Sequence, residues 1–125
     1  MQIRTVIKPW GKEEWVAHNE FYVLKLITLN RGYRTSLHYH DEKRETFYVE
    51  RGRIVSWLEG DDGSIAKKVI LPDSKVEIVP GKAHRVEALE DSYIIEVSTP
   101  QVDDVIRVED DFGRGNGRVA SEHGE

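Results

Sequence analysis

Hydrophobic and polar positions alternate over short stretches along the chain, and the 3.6-residue period of a helix is scarce. The apolar or alternating runs are FYVLKLITL, RTSLHYH, ETFYVE, RIVSWLE, IAKKVIL, KVEIV, HRVEAL and SYIIEVS, all rich in Val, Ile, Tyr and Phe. Turn-forming residues break them: NRG at 30–32, DEKR at 41–44, RG at 51–52, EGDDGS at 59–64, LPDS at 71–74, PGK at 80–82 and EDS at 90–92. EGDDGS is a hairpin signal, because Asp-Gly tolerates the positive φ of a tight reversal. Eight short strands at this spacing predict an all-β single domain, a sandwich or closed barrel of the jelly-roll sort. The domain is expected over residues 1–114, including an N-terminal arm in which Trp10 and Trp15 cover a barrel end or a neighbouring subunit. The charged, then glycine-rich stretch after Pro100 reads as an acidic arm, with 115–125 a flexible tail.

With 125 residues there is one core to bury, so an active site must lie inside a single compact unit or on its rim. No cysteine is present, which removes disulfides and sulfur ligands and leaves His, Asp and Glu as metal ligands. No apolar run reaches the length of a membrane span and the N-terminus lacks a signal-peptide layout, so a soluble, cytoplasmic protein is expected. The formal charge of −5 argues against nucleic acid as main partner while leaving room for a small anion held by local cations.

The stretch from Gly32 to Gly52 carries the chemistry. His38 and His40, two apart on a strand, point to one side, as do Arg34 and Ser36 if the strand is regular. DEKR reads as a tight connection, and a hairpin pairing the flanking strands carries Glu45 back beside the histidines. His84 follows the Pro80–Gly81 turn. A lone histidine on a strand is well explained as surface decoration, and His18 and His123 are read that way. The combination of His38, His40, Glu45 and His84 instead forms a borderline donor set suited to a divalent ion: Zn, Mn, Fe, Co or Ni. In a six-coordinate ion two positions stay open, the mark of a catalytic site.

These residues resemble the cupin superfamily. Its first motif matches Gly32, His38, His40, Glu45 and Gly52; its second matches VPGKAHRVEA through Pro80, Gly81 and His84, with Ala88 where the family often has Asn. Within the cupins the chain looks most like the type II mannose-6-phosphate isomerase, the C-terminal domain of bifunctional isomerase/guanylyltransferases. That likeness runs from KPWGKEE at 8–14 through IEVSTP to DDVIRVEDDFGR at 103–114. It departs at HYHDEK, where those isomerases commonly have Gln two residues before His and a His-His-His-Arg run.

The resemblance implies a metal-dependent aldose–ketose isomerase acting on a sugar phosphate. Such a reaction needs a Lewis acid and a base that moves a proton between adjacent carbons. Glu96 is the candidate base, sharing a strand face with Ile94 and Ser98. Arg34 and Lys82 are the candidate substrate-binding cations, with Lys43, Arg44 and Arg85 nearby. Phe47, Tyr48 and Trp57 could stack on a sugar but are as readily packing residues. An Fe(II) dioxygenase and a non-catalytic sugar-binding module are the alternatives. A homodimer is expected, since cupins are often dimeric and a jelly roll leaves edge strands open.

Overall fold

The computed structural model describes residues 2–119. Twelve strands make up its regular structure: β1 (Arg4–Lys8), β2 (Gly11–His18), β3 (Val23–Leu29), β4 (Leu37–His40), β5 (Glu45–Arg51), β6 (Ile54–Glu59), β7 (Ile65–Ile70), β8 (Lys75–Ile78), β9 (His84–Ala88), β10 (Ser92–Ser98), β11 (Val105–Glu109) and β12 (Gly117–Arg118). Two six-stranded sheets run in the orders β1-β2-β3-β10-β5-β8 and β12-β11-β4-β9-β6-β7, and every pairing is antiparallel. This is a jelly-roll sandwich, as the strand spacing predicts. No helix of the described residues is long and apolar enough to cross a membrane.

Alternation places the core. On β10, Ser92, Ile94, Glu96 and Ser98 are buried, whereas Tyr93 and Val97 are exposed. Phe47 and Val49 on β5, Ile54 on β6, Ile78 on β8 and Val86 and Ala88 on β9 complete the same cluster from both sheets. EGDDGS turns β6 into β7 with Ile54 opposite Ile70. Gly52, with φ of 95°, sits where a Cβ would lie 2.6 Å from the Asp91 carbonyl oxygen, so the close approach of two turns requires glycine there.

The two ends are more regular than the pattern alone predicts. The N-terminal arm is a β1–β2 hairpin on the edge of the first sheet, with Arg4 opposite Trp15. Its inward positions include Lys8 and Glu13, both buried, and those charges mask the period of two. Trp10 belongs to the main core; Trp15 packs with Val6 and Val23 in a smaller cluster. The acidic arm supplies β11, which pairs with β4, and Gly117–Arg118 pair with β11 in turn. The remainder of the expected tail, with His123, lies outside the described residues.

One expected link differs. β4 and β5 do not pair as a hairpin: β4 lies between β11 and β9 in one sheet, β5 between β10 and β8 in the other. The DEKR connection crosses from sheet to sheet, so Glu45 meets the histidines across the interior of the sandwich. A jelly-roll crossover and a hairpin need the same short polar connection, which is why spacing alone does not separate them.

Candidate metal centre

His38 and His84 face each other across the β4–β9 ladder as registered partners, with ring centroids 4.4 Å apart. His40 projects from the same face of β4, and its ring lies 5.2 Å from that of His38 and 5.5 Å from that of His84. One nitrogen from each of the three comes within 4.8 Å of the others, the grouping a single ion needs. The turn before His84 is pinned to this strand: the Gly81 N–H, at φ of 83°, donates to the His40 carbonyl at 2.8 Å.

Each imidazole is oriented by its other nitrogen. Nδ1 of His38 lies 2.9 Å from the Ser36 carbonyl, Nδ1 of His84 2.9 Å from the Lys82 carbonyl, and Nδ1 of His40 2.9 Å from Oδ1 of Asp104. All three partners are acceptors, so Nδ1 carries the proton and Nε2 presents its lone pair inward. Asp104 is fixed by the backbone N–H groups of Glu42 and Lys43, at 2.9 and 3.0 Å. Burial and the charges of the neighbouring imidazoles hold His38 well below the usual histidine range. Burial and the Lys43 ammonium lower His40 to about 4. Neutral imidazoles with oriented Nε2 atoms are the form a metal requires, and the donor set fits a divalent ion.

Glu45 stands at the edge of this trio. Its Oε1 lies 2.9 Å from Nε2 of His84 and 3.8 Å from Nε2 of His40. Although burial pushes its carboxyl up, the Lys43 ammonium and the adjoining His84 ring hold it well below the carboxylate range. Lys43 Nζ bridges Glu45 and Glu96 at 3.4 and 3.2 Å. Lys25 joins Glu13 to Glu96, both at 3.8 Å, and all five of these charged side chains are buried. Burial and the charge of Glu45 raise Glu96 to about 7. Lys43 thus ties the two carboxyl groups together, one well below and the other above the usual carboxylate range.

A cavity of about 80 Å³ opens onto this network. His38, His40, His84, Glu45 and Glu96 line it together with Lys43 and, at the C-terminal end of the chain, Arg114. Arg34 and Lys82 are not among its lining residues. Arg34 donates a bidentate pair of hydrogen bonds to Asp111, at 2.5 and 2.7 Å, on the outer side of β4 and β9. The strand breaks between Arg34, in an isolated bridge with Glu87, and the start of β4, so the period of two does not carry through. Lys82 reaches Asp61 at 3.0 Å and the Gly60 carbonyl at 3.3 Å in the β6–β7 turn. Arg85 is fully buried away from the cavity, against Glu109 and Trp57, and Arg44 reaches Glu77 at the surface. Of the aromatics, Phe47 lines the cavity, Tyr48 donates to Asp73 outside it, and Trp57 packs under Lys67, Arg34 and Arg85.

Sequence reasoning did not single out Lys25, Glu13 or Asp104. For Lys25 a signal exists: it occupies the same face of β3 as Val23, Ile27 and Leu29, a lysine where an apolar side chain is due. Asp104 carries no such mark, because nothing in its spacing ties it to His40.

A jelly-roll sandwich with a histidine cluster on its inner face is the arrangement of the cupin fold, and the chain has that fold. Its relatives include the mannose-1-phosphate guanylyltransferase ManC of Salmonella typhimurium, 29% identical over 117 residues, which cover 89% of this chain and 23% of that protein. The chain therefore spans about a quarter of the length of the curated relatives it matches. Among solved structures, KdgF from Halomonas is 25% identical with a TM-score of 0.70, covering 83% of this chain and 90% of that one. CapF, a capsular polysaccharide assembling protein from Staphylococcus aureus, has a TM-score of 0.77 at 18% identity, covering 88% of this chain and 32% of that one, a likeness of fold. No protein-family model matches the chain. The kinship with mannose-phosphate enzymes expected from the end segments is met by these relatives.

Proposed function

We propose that this cupin is a metal-dependent sugar-phosphate isomerase, interconverting mannose 6-phosphate and fructose 6-phosphate. The observation that carries the reading is a buried carboxyl group, Glu96, on the wall of the cavity that holds three inward-facing imidazoles. His38, His40, His84 and Glu45 would hold a divalent ion; when bound, it supplies a Lewis acid that polarises the carbonyl and hydroxyl oxygens of the sugar.

The remaining work falls to the chain's own groups. Glu96 takes the proton from one carbon of the sugar and returns it to the neighbour, a role that suits a carboxyl titrating at about 7. Lys43, bonded to Glu96 and near Glu45, fixes both carboxylates and balances their charge. Ile27, Phe47, Ile78 and Val86 line the same space and keep water from the transferred proton. The likeness to a mannose-1-phosphate guanylyltransferase supports the choice of sugar.

The test loads stripped protein separately with Zn, Mn, Fe, Co or Ni, adds mannose 6-phosphate and assays fructose 6-phosphate, with a chelator control. Product that depends on metal supports the reading. Product that persists after complete metal removal, or no product with any of the ions, overturns it.

A further inference from the structure

One row of inward side chains crosses the first sheet as Trp15, Lys25, Glu96 and Phe47, each the registered partner of the next on β2, β3, β10 and β5. Lys25 is the unexpected member, since Val23, Ile27 and Leu29 occupy the same face of β3 and its own side chain is 1% exposed. Its Nζ lies 3.8 Å from Oε2 of Glu96, 3.8 Å from Oε1 of Glu13 and 4.4 Å from the centroid of the Trp15 ring. The Trp15 indole N–H donates in turn to Oε1 of Glu13 at 3.2 Å. Burial and the charge of Lys43 lower Lys25 from the usual lysine value, while Glu96 and Glu13 oppose that shift and favour the charged form.

An ammonium is costly to hold out of water, and an apolar side chain of the same length would fill this row at lower cost. What the charge adds is a second fixed cation on Glu96. Lys43 Nζ reaches the same oxygen, Oε2, at 3.2 Å from the connection that crosses between the sheets. Glu96 is therefore held from within its own sheet by Lys25 and from across the sandwich by Lys43, in the wall of the cavity that all three line.

We propose that Lys25 is a positioning residue for Glu96, and that Glu13 and Trp15 of the β1–β2 hairpin hold Lys25 in that role. The hairpin on the edge of the sheet is then a working part of the site. The inference rests on the reading of Glu96 as the group that moves the proton, and it goes beyond that reading by assigning what fixes the carboxyl in place.

The experiment uses full-length protein and two variants, Lys25→Met and the double variant Glu13→Gln/Lys25→Met. Methionine keeps the length of the side chain without its charge; the double variant also keeps the net charge of the wild type and leaves Glu13 no carboxylate to pair. Two quantities are read: the 13C carboxyl resonance of Glu96 in metal-free, glutamate-labelled protein, assigned by its loss in Glu96→Gln, and kcat and KM for mannose 6-phosphate in metal-loaded protein. In both variants the Glu96 resonance is expected to move and kcat to fall by about ten- to a hundredfold, with KM and metal content retained. Return of the resonance and kcat to wild-type values in the double variant would mean that Lys25 serves only to neutralise Glu13, and overturns the inference. An unmoved resonance in Lys25→Met overturns it as well, as does loss of cooperative unfolding in both variants, which would make the role structural. If wild type turns nothing over with any ion, the isomerase reading fails and the resonance alone decides: a shift in both variants upholds Lys25 as the residue that sets Glu96, and no shift overturns it.

Discussion

Glu45 Oε1 and His84 Nε2 meet at 2.9 Å while Nδ1 of the same ring faces the Lys82 carbonyl at 2.9 Å. Both ring nitrogens of His84 therefore address oxygen acceptors, and a neutral imidazole has one N–H to offer. The second contact calls for a cation between nitrogen and carboxylate, a proton or a metal ion. Glu45→Gln, which keeps the shape and removes the charge, is expected to lower metal affinity by at least about tenfold. Elemental analysis after dialysis against a weak chelator measures it.

Asp104 touches no candidate metal atom, yet it sets the ring of His40 and is itself held by two backbone N–H groups. Asp104→Ala frees the imidazole to rotate and removes its acceptor. The expected result is a loss of about ten- to a hundredfold in metal affinity with the fold intact, seen by titration of metal into stripped protein. An unchanged affinity would mean that the ring is held by packing alone.

Glu96 and Glu45 both contact Lys43 Nζ but are assigned different work. Glu96→Gln is expected to reduce turnover of mannose 6-phosphate by about a hundredfold or more while leaving metal content at the wild-type level. The Glu45 variant is expected to lose both. Turnover and metal content measured on the two variants side by side separate the roles.

The Asp110–Arg114 pair predicts a pH dependence. Burial pushes the Asp110 carboxyl up, but the hydrogen bonds from Arg114 outweigh it and the net shift is downward. A carboxyl with a folded pKa below its unfolded value stabilises the fold fully above the unfolded value, about 3.9. That contribution is lost as pH falls through the lower folded value. Asp110→Asn is expected to cost about 1 kcal/mol at pH 7 and to flatten the acid limb of the stability curve below about pH 4. Denaturant unfolding at a series of pH values checks both.

Gly52 tests the packing of the two turns. A Cβ there meets the Ser92 hydroxyl as well as the Asp91 carbonyl, and φ of 95° is strained for any L side chain. Gly52→Ala is expected to destabilise the protein by about 2 kcal/mol or more, visible as a lower thermal midpoint at unchanged metal stoichiometry.

Much of this molecule was legible because local physics and tertiary demand agree. The alternation of Ile94, Glu96 and Ser98 against Tyr93 and Val97 is the alternation that buries one face of β10. His38 and His40 point together because a strand makes them, and Pro80–Gly81 brings His84 alongside. What eluded sequence reasoning depends on which sheet a strand joins. A short polar connection reads the same whether it closes a hairpin or crosses the sandwich, so the route by which Glu45 reaches the histidines was misplaced. Lys43, within that connection, reads as a surface charge, and only the crossover makes it buried between Glu45 and Glu96. Arg34 shares the parity of His38, but the chain bends before β4 and turns it to Asp111.

The most direct measurement is calorimetric titration of divalent ions into stripped wild-type protein and into His84→Ala. Uptake of one ion per chain by the wild type, and its loss in a variant that still unfolds cooperatively, is the predicted result. Absence of binding by the wild type for every ion of the series, or equal uptake by His84→Ala, would contradict it.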